Sequence, residues 1–323
     1  MSNNRGVLRF IVRRLFLGVL TLFVVSLVVF AATQLLPSDP AQAILGRDAN
    51  PASTAALRIK LGLDHSAFYQ YTHWLKGIVI GNPGDSFNAR QPILQYIGDR
   101  VINSLFLLFL ASVISIPLSL WLGSYCARKR DSTFDNVVSN AMLAVASLPE
   151  FVVGIVLILF FSVRGFKVLP AVSSIGIGRG PWSDMKGMIL PTAVLVIGSV
   201  PYISRVVRAS MIEVLESDYI EMARLKGAPE KVVLWRHALP NALGPVFQVI
   251  ALNIAYFAAG VIVVEALFNY PGIGGALRDA VRVRDIPVIQ FLVMVLATVY
   301  VVTNLAADVA TVLVTPRLRT RMQ

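Results

Sequence analysis

Three carboxylates stand inside long apolar runs: Glu150, Glu265 and Asp308. An ionised acid at the centre of a lipid-spanning helix costs at least about 2.5–3.5 kcal/mol. Each must therefore face a bundle interior, water or a partner. The chemistry open to such groups is proton relay, solute contact or structural hydrogen bonding. Glu150 follows Pro149, and a proline kink frees carbonyls and opens a local gap. Lining a pathway and serving as a protonated or hydrogen-bonded structural group are both open for it. Glu265 closes an apolar run just before a turn at Asn269–Gly275 that holds Pro271, Gly272, Gly274 and Gly275. A helix-end position at the membrane interface suits it. Asp308 lies about two turns from the end of its run. Pairing with an inner basic residue is expected there rather than solute contact.

Catalytic constellations do not emerge. A phosphate loop needs G-x-x-x-x-G-K-[ST], and no lysine here is followed by serine or threonine. H-E-x-x-H and a G-x-S-x-G elbow are absent from the sequence. His65, His73 and His237 are too scattered for a zinc site, and the single cysteine, Cys126, excludes an internal disulfide framework. No cofactor is expected on this chain.

The elements that position these acids are membrane helices. Of the 323 residues 56% are hydrophobic and 15% are charged, whereas soluble domains are closer to a quarter charged. The surplus apolar surface must face lipid. About 20 apolar residues cross a bilayer, and six stretches qualify: 10–33, 102–126, 137–163, 188–206, 243–265 and 287–314. Gly198 and Pro201 interrupt the fourth. The first, with its basic start from Arg5 to Arg14, is longer than a signal-peptide core and reads as a retained span.

With a cytoplasmic N-terminus, 16 of the 29 lysines and arginines fall in inner segments. Their density is then about twice that outside, which places both termini in the cytoplasm. The net charge of +11 is explained by this asymmetry. No aromatic-basic motif accompanies it, so nucleic acid is not an expected partner. The fold class is thus an all-α membrane protein with six transmembrane helices and one long extracytoplasmic segment after the first. The divisions are 1–33, an N-terminal cytoplasmic segment and first helix; 34–101, the extracytoplasmic segment; 102–314, a five-helix core; and 315–323, a cytoplasmic tail.

Segment 34–101 carries turn signals at Pro37, Pro40, Pro51, Asn82-Pro83-Gly84 and Pro92. Between them 54–62 and 66–80 read as short amphipathic helices, with Tyr69, Tyr71 and Trp74 suited to the interface. The segment is either a cap on the outer leaflet or a docking surface.

Segment 207–242 is polar and cytoplasmic. Asp218 and Glu221 stand in capping-box spacing. Tyr219 to Lys226 then forms a short helix with an acidic first turn and a basic last turn. Gly227 suits the left-handed position past its end, and Pro229 stops it. Two turns are marginal alone, so the helix must pack on something. Tyr219, Met222 and Ala223 share a face. That face rests either on the protein's own helix ends or in a groove of a soluble partner.

The stretch EMARLKGAPEKVVLWRHALPNAL resembles the cytoplasmic signature of ATP-binding-cassette importer permeases: Glu-Ala-Ala, three residues, Gly, nine residues, Ile-x-Leu-Pro. Glu221, Ala223, Gly227, Leu239 and Pro240 match, while Met222 replaces the first alanine and His237 the isoleucine. DYIEMARLKG, VVEALFNYPGIGGAL, RDIPVIQ, SLPEFVVGIVLILFF and NLAADVATVLVTPRLR are similar to the dipeptide and oligopeptide branch. LLPSDPAQAILG with LRIKLGLDHSAFYQYTHWLKG and GDSF resembles the longer of its two paired permease types.

This resemblance implies a multi-pass subunit of the bacterial inner membrane that forms half of a pore. Its partners would be a second homologous permease, two cytoplasmic ATPases that carry ATP and magnesium, and an extracytoplasmic solute-binding protein. It implies an ATPase-coupling role for Asp218, Tyr219, Glu221, Met222, Ala223, Lys226, Gly227, Leu239 and Pro240. It places Glu265, Pro271 and Gly272 at an outer gate, and Glu150 is a candidate for the translocation pathway. The solutes of such permeases include peptides, glutathione, nickel chelates and sugar conjugates. The rival reading is a proton-coupled secondary transporter using Glu150 or Asp308. It leaves the capped cytoplasmic helix and its Leu239-Pro240 sequel unexplained. A passive channel is a third, weaker reading.

Overall fold

The structure, a computed structural model, describes residues 3–35, 40–45, 49–60, 62–176 and 179–314. Pro37 and the tail 315–323 of the sequence reading lie outside them. Among the described residues the regular structure is helical, apart from an isolated bridge between Asp85 and Pro92. The long helices are α1 (Asn3–Gln34), α5 (Ile93–Arg128), α8 (Ile189–Leu215), α11 (Leu239–Leu267) and α13 (Ile286–Val314). Between the first two stand α2 (Pro40–Leu45), α3 (Pro51–Lys60) and α4 (Ala67–Ile80). Between α5 and α8 stand α6 (Thr133–Ala146) and α7 (Glu150–Ile158), the latter continued by a π-turn at Leu159–Val163. Short helices α9 (Asp218–Leu225) and α10 (Glu230–Val232) precede α11, with a π-run at Val233–Ala238. Helix α12 (Ile273–Val283) separates α11 from α13.

Among the described residues four helices, α1, α5, α8 and α13, are long and apolar enough to cross a membrane, and α6 with α7 makes a fifth if that bent pair is one span. The third expected span, 137–163, is therefore broken rather than straight. The chain turns by 100° between α6 and α7. Leu148 precedes a proline, which biases it away from helix, and Pro149 has no N–H to continue the ladder. By contrast Pro201 lies inside α8 without ending it. Helix α5 starts nine residues before the expected apolar run. At 1.5 Å per residue it is about 54 Å long, well beyond the roughly 30 Å of hydrocarbon. Its first turns hold Gln95, Asp99 and Arg100, so hydropathy alone could not find them.

Helix α8 is the centre of the bundle. Its buried residues Leu190, Val194 and Leu195 pack with Leu107, Leu108 and Ala111 of α5 and with Phe257, Val261 and Val264 of α11. Further along, Ile203, Val207 and Met211 pack with Ala127 of α5 and with Ala242 and Val246 of α11. Close approach is possible because Gly123 faces Val207 and the backbone of Ser204, where a Cβ would collide. Helix α1 packs on α13 in antiparallel sense. Thr33 meets Gln290 near one end, Gly18 meets Val301, and Arg14 pairs with Asp308 at 3.2 Å near the other. The pairing expected of Asp308 is thus present, and its partner is Arg14.

A third cluster joins Ile93 and Ile97 of α5, Ile273, Ala276 and Ala280 of α12, and Val288 and Leu292 of α13. Helix α12 was not foreseen. Its apolar residues recur at i, i+3 and i+7 while Arg278, Asp279 and Arg282 face away, which is the pattern of a half-buried helix.

Candidate functional site

The first candidate is the polar segment around α9. The helix forms where the sequence places it, with one correction at its start. The N-cap is Ser217 (φ −79°, ψ 146°), and Asp218 is the first helical residue. The Asp218–Glu221 capping box is not formed. Ser217 adopts the extended cap conformation, but its hydroxyl donates back to the Val214 carbonyl. Asp218 and Glu221 still serve as acids in the first turn, favourable against the helix dipole.

The end of α9 is as expected. Gly227 is left-handed at φ +80°. Its N–H donates to Arg224 O at 2.8 Å, and the Ala228 N–H donates to Ala223 O at 3.1 Å. These two bonds are the Schellman pair, which satisfies the carbonyls a helix end leaves open. Lys226 is the C-cap, and Arg224 reaches Glu230 at 2.9 Å across the turn.

One residue anchors the helix to the bundle. Ile220 is fully buried among Val207, Met211, Val233, Leu234 and Ala238. Sequence reading grouped Tyr219, Met222 and Ala223 and passed over this residue. Its signal was available, for it is the only β-branched residue in the helix. The opposite side is open: Met222 is 53% exposed and Leu225 75%. Tyr219 is at the margin, and its hydroxyl donates to the His237 carbonyl at 3.1 Å. Leu239 packs against the same cluster as Ile220. Pro240 sits in the first turn of α11, where a missing N–H costs nothing. The structure thus brings Tyr219, Leu239 and the Gly227 turn into one unit, and Asp218, Glu221, Met222 and Lys226 stand exposed on it.

Ion pairs tie α8, which leads into this unit, to α6 and to the α5–α6 turn, and sequence reading missed them. Asp135, fully buried at the start of α6, is held by Arg208 of α8 through two bonds of 2.7 and 2.6 Å. It also accepts the Asp131 N–H at 3.0 Å. Arg130 pairs with Glu216, two residues before α9. Partners 73 and 86 positions apart leave no local pattern to read.

The second candidate is the turn between α11 and α12. Glu265 is 1% exposed. Its carboxylate accepts from the Ser104 hydroxyl and from the Gly274 N–H at 2.6 Å. Ser104 in turn accepts the Ile273 N–H at 2.7 Å. The Asn103 amide donates to Pro271 O at 2.9 Å, and the Tyr270 hydroxyl donates to Asn103 O at 2.9 Å. A Cβ on Gly272 would run into both Glu265 and Ser104. So Glu265, Pro271 and Gly272 form one buried network, with the acid capping the start of α12 from the preceding helix. Asn103, Ser104 and Tyr270 were not anticipated, although two adjacent polar residues in an apolar span were a visible signal.

Glu150 stands apart from that network, half-buried in the first turn of α7. Its carboxylate rests against two glycines. A Cβ on Gly260 of α11 would lie 2.7 Å from Oε2, and one on Gly198 of α8 would lie 3.5 Å from Oε1. Among the described residues Oε1 is buried without a hydrogen-bond partner, while the half-exposed Tyr256 is within hydrogen-bonding reach of the carboxylate.

Residues 116–320 match the family described as binding-protein-dependent transport system inner membrane component. Residues 7–108 match the N-terminal part of such a membrane component. The chain belongs to this family. Among relatives, a probable peptide ABC transporter permease of Sinorhizobium fredii is 35% identical over 96% of this chain and 99% of its own length. The glutathione transport system permease of Escherichia coli strain K12 is 33% identical over 97% and 99%. The chain is therefore a non-catalytic inner-membrane permease of a binding-protein-dependent ATP-binding-cassette importer. Its working partners include an ATPase and a solute-binding protein. The secondary-transporter and channel readings fall away with that membership.

Proposed function

We propose that this permease forms half of a translocation pore for peptides or related small solutes such as glutathione, paired with a second homologous permease. Counting α11 and the broken α6–α7 pair gives six spans, with both termini and α9 in the cytoplasm. In this reading, residues 1–33 and the outer segment 34–101 precede a core at 102–314. Two ATPases bind ATP and magnesium and grip the two permeases, each through a helix equivalent to α9. The observation that carries this reading is the construction of α9. Its one apolar anchor, Ile220, is buried in its own bundle, its end is fixed by a Schellman turn, and Met222 and Leu225 face outward. A short helix so anchored and so exposed suits the transfer of force from a groove on a soluble partner.

When the ATPases close, they draw α9 inward. Ile220 and the Asp135–Arg208 and Arg130–Glu216 pairs pass that displacement to α8 and α6. At the far end, the Glu265 network holds α12 on the outer side as the gate. Glu150, between α7, α8 and α11, lines the pathway. The test is uptake of labelled di- and tripeptides and of glutathione by the assembled transporter in proteoliposomes. Uptake that needs ATP inside, and survives collapse of the proton gradient, supports the reading. Uptake driven by the gradient without ATP overturns it.

A further inference from the structure

Helix α8, the centre of the bundle, leaves one face open past its middle. Gly198, Tyr202, Arg205 and Ala209 recur at i, i+4, i+7 and i+11 and so share a side. Tyr202 is 50% exposed, and Arg205 and Ala209 are exposed with it. One turn before Gly198 the same side is shut, for Val194 is fully buried with Gly154 of α7 against it. Glu150, the first residue of α7 after the break, stands at this boundary. Its carboxylate lies beside Gly198 and Gly260 and within reach of the half-exposed Tyr256 of α11. Among the described residues neither Glu150 nor Arg205 is in an ion pair. Nearby charges are engaged or distant: Arg208 is taken by Asp135 and Glu216 by Arg130, and Glu213 is two turns past Arg205. The acids outside the described residues, Asp39 and Asp48, fall between α1 and α3 in the sequence.

These charges sit deep. Arg205 is 16 residues into α8, about 24 Å from its start, against roughly 30 Å of hydrocarbon. An unpaired charge turned to lipid at that depth is costly, so this face meets water. An acid and a base on one wet face suit a solute that carries both charges. Gly198, which marks the level of the Glu150 carboxylate, is seven residues from Arg205, about 10 Å along the helix. An extended peptide of two or three residues spans roughly 7–11 Å. Its free ends are an ammonium, which donates to a carboxylate, and a carboxylate, which accepts paired N–H bonds from a guanidinium. We propose that Glu150 and Arg205 set the specificity of the pathway for short peptides with both ends free. Glu150 takes the N-terminal ammonium and Arg205 the C-terminal carboxylate, with Tyr202 beside the chain between them. Solutes without these end groups gain nothing from either residue. The inference rests on the reading of this chain as half of a peptide pore, and it adds which part of the solute is recognised and by what.

The test uses the assembled transporter without its binding protein, so that the selectivity read belongs to the membrane subunits. Ala209→Cys, one turn past Arg205, reports on the face through its labelling by a water-soluble thiol reagent, since the native Cys126 is buried. The probes are trialanine, N-acetyl-trialanine and trialanine amide. Trialanine should slow labelling, and blocking either end should weaken that protection about tenfold or more, the worth of one hydrogen bond to a charged group. Glu150→Gln should make trialanine and the acetylated peptide equal while the amide stays weaker. Arg205→Gln should do the reverse. A merely structural role would weaken all three peptides alike, and that result overturns the proposal. So does equal protection by the three peptides on the unaltered pathway, or none by trialanine. Failure of Ala209→Cys to label, or loss of the second permease from the Arg205→Gln complex, would assign the face to a subunit contact and overturn it as well. ATP-driven uptake of trialanine in proteoliposomes is measured beside these. Its absence refutes the peptide-pore reading itself, whereas its presence with no end-group selectivity refutes only the site.

Discussion

Substitutions at Gly227 separate backbone strain from side-chain crowding. The residue sits at φ +80°, and a Cβ there would meet nothing within 4 Å. Neighbours therefore contribute no clash, and the whole cost lies in the left-handed conformation, about 1–2 kcal/mol for an ordinary L-residue. Asparagine is enriched in that region and costs less, whereas a β-branched residue there is a true outlier. Relaxing the turn gives up the bonds to Arg224 O and Ala223 O that close α9. For a helix of eight residues, marginal on its own, 1–2 kcal/mol shifts the capped population by about five- to thirtyfold. The expected order of coupling is Gly, then Asn, then Ala, then Val. It is read as solute taken up per ATP hydrolysed in proteoliposomes, and as the affinity of the solubilised permease for its isolated ATPase. Membrane insertion should be unchanged throughout. Wild-type coupling in Gly227→Val, or damage from Gly227→Asn equal to that from Val, would refute the reasoning.

Other outcomes follow from the same contacts. Ile220→Ala empties a fully buried site, a change that typically costs about 2–5 kcal/mol. It should loosen α9 and weaken ATPase co-purification while the spans still assemble. Arg208→Gln leaves the buried Asp135 charge unpaired, and breaking such pairs costs about 3–5 kcal/mol. The thermal unfolding midpoint should fall, and adding Asp135→Asn should restore most of the loss. Gly272→Ala forces a methyl group into Glu265 and Ser104. Uptake should fall steeply while the ATPase still co-purifies, because the damage is confined to the α11–α12 turn.

Four straight spans and the end of α9 were legible because apolar length and Gly–x–Pro punctuation are local signals. The start of α9 was misread by one residue. Asp218 and Glu221 have the spacing of a capping box, but Ser217 is equally able to adopt the extended cap geometry and stands one residue earlier. The break at Ser147–Pro149 was visible as a proline, but its 100° angle depends on how α7 packs against α8 and α11, which no local pattern encodes. Glu265, Pro271 and Gly272, which we propose for a gate, were named from the sequence and do meet at the α11–α12 turn. Their partners, Ser104 for Glu265 and Asn103 for Pro271, lie 161 and 168 positions away. Asp285 was missed for the same reason. It is buried at the α12–α13 corner and binds Ser86 and the Phe87 and Asn88 amides, nearly 200 positions away. Ion pairs and carboxylate caps between distant helices are properties of the packed bundle.

The central claim, that α9 presents its outer face to an ATPase, has a direct measurement. The native cysteine, Cys126, is buried, so single cysteines placed at Met222 and Ile220 can be cross-linked with a short bifunctional reagent in native membranes. Met222→Cys should join the permease to the ATPase subunit, and Ile220→Cys should not. A cross-link from position 220 alone, or labelling of position 222 by an impermeant reagent applied from the outside, would contradict the account.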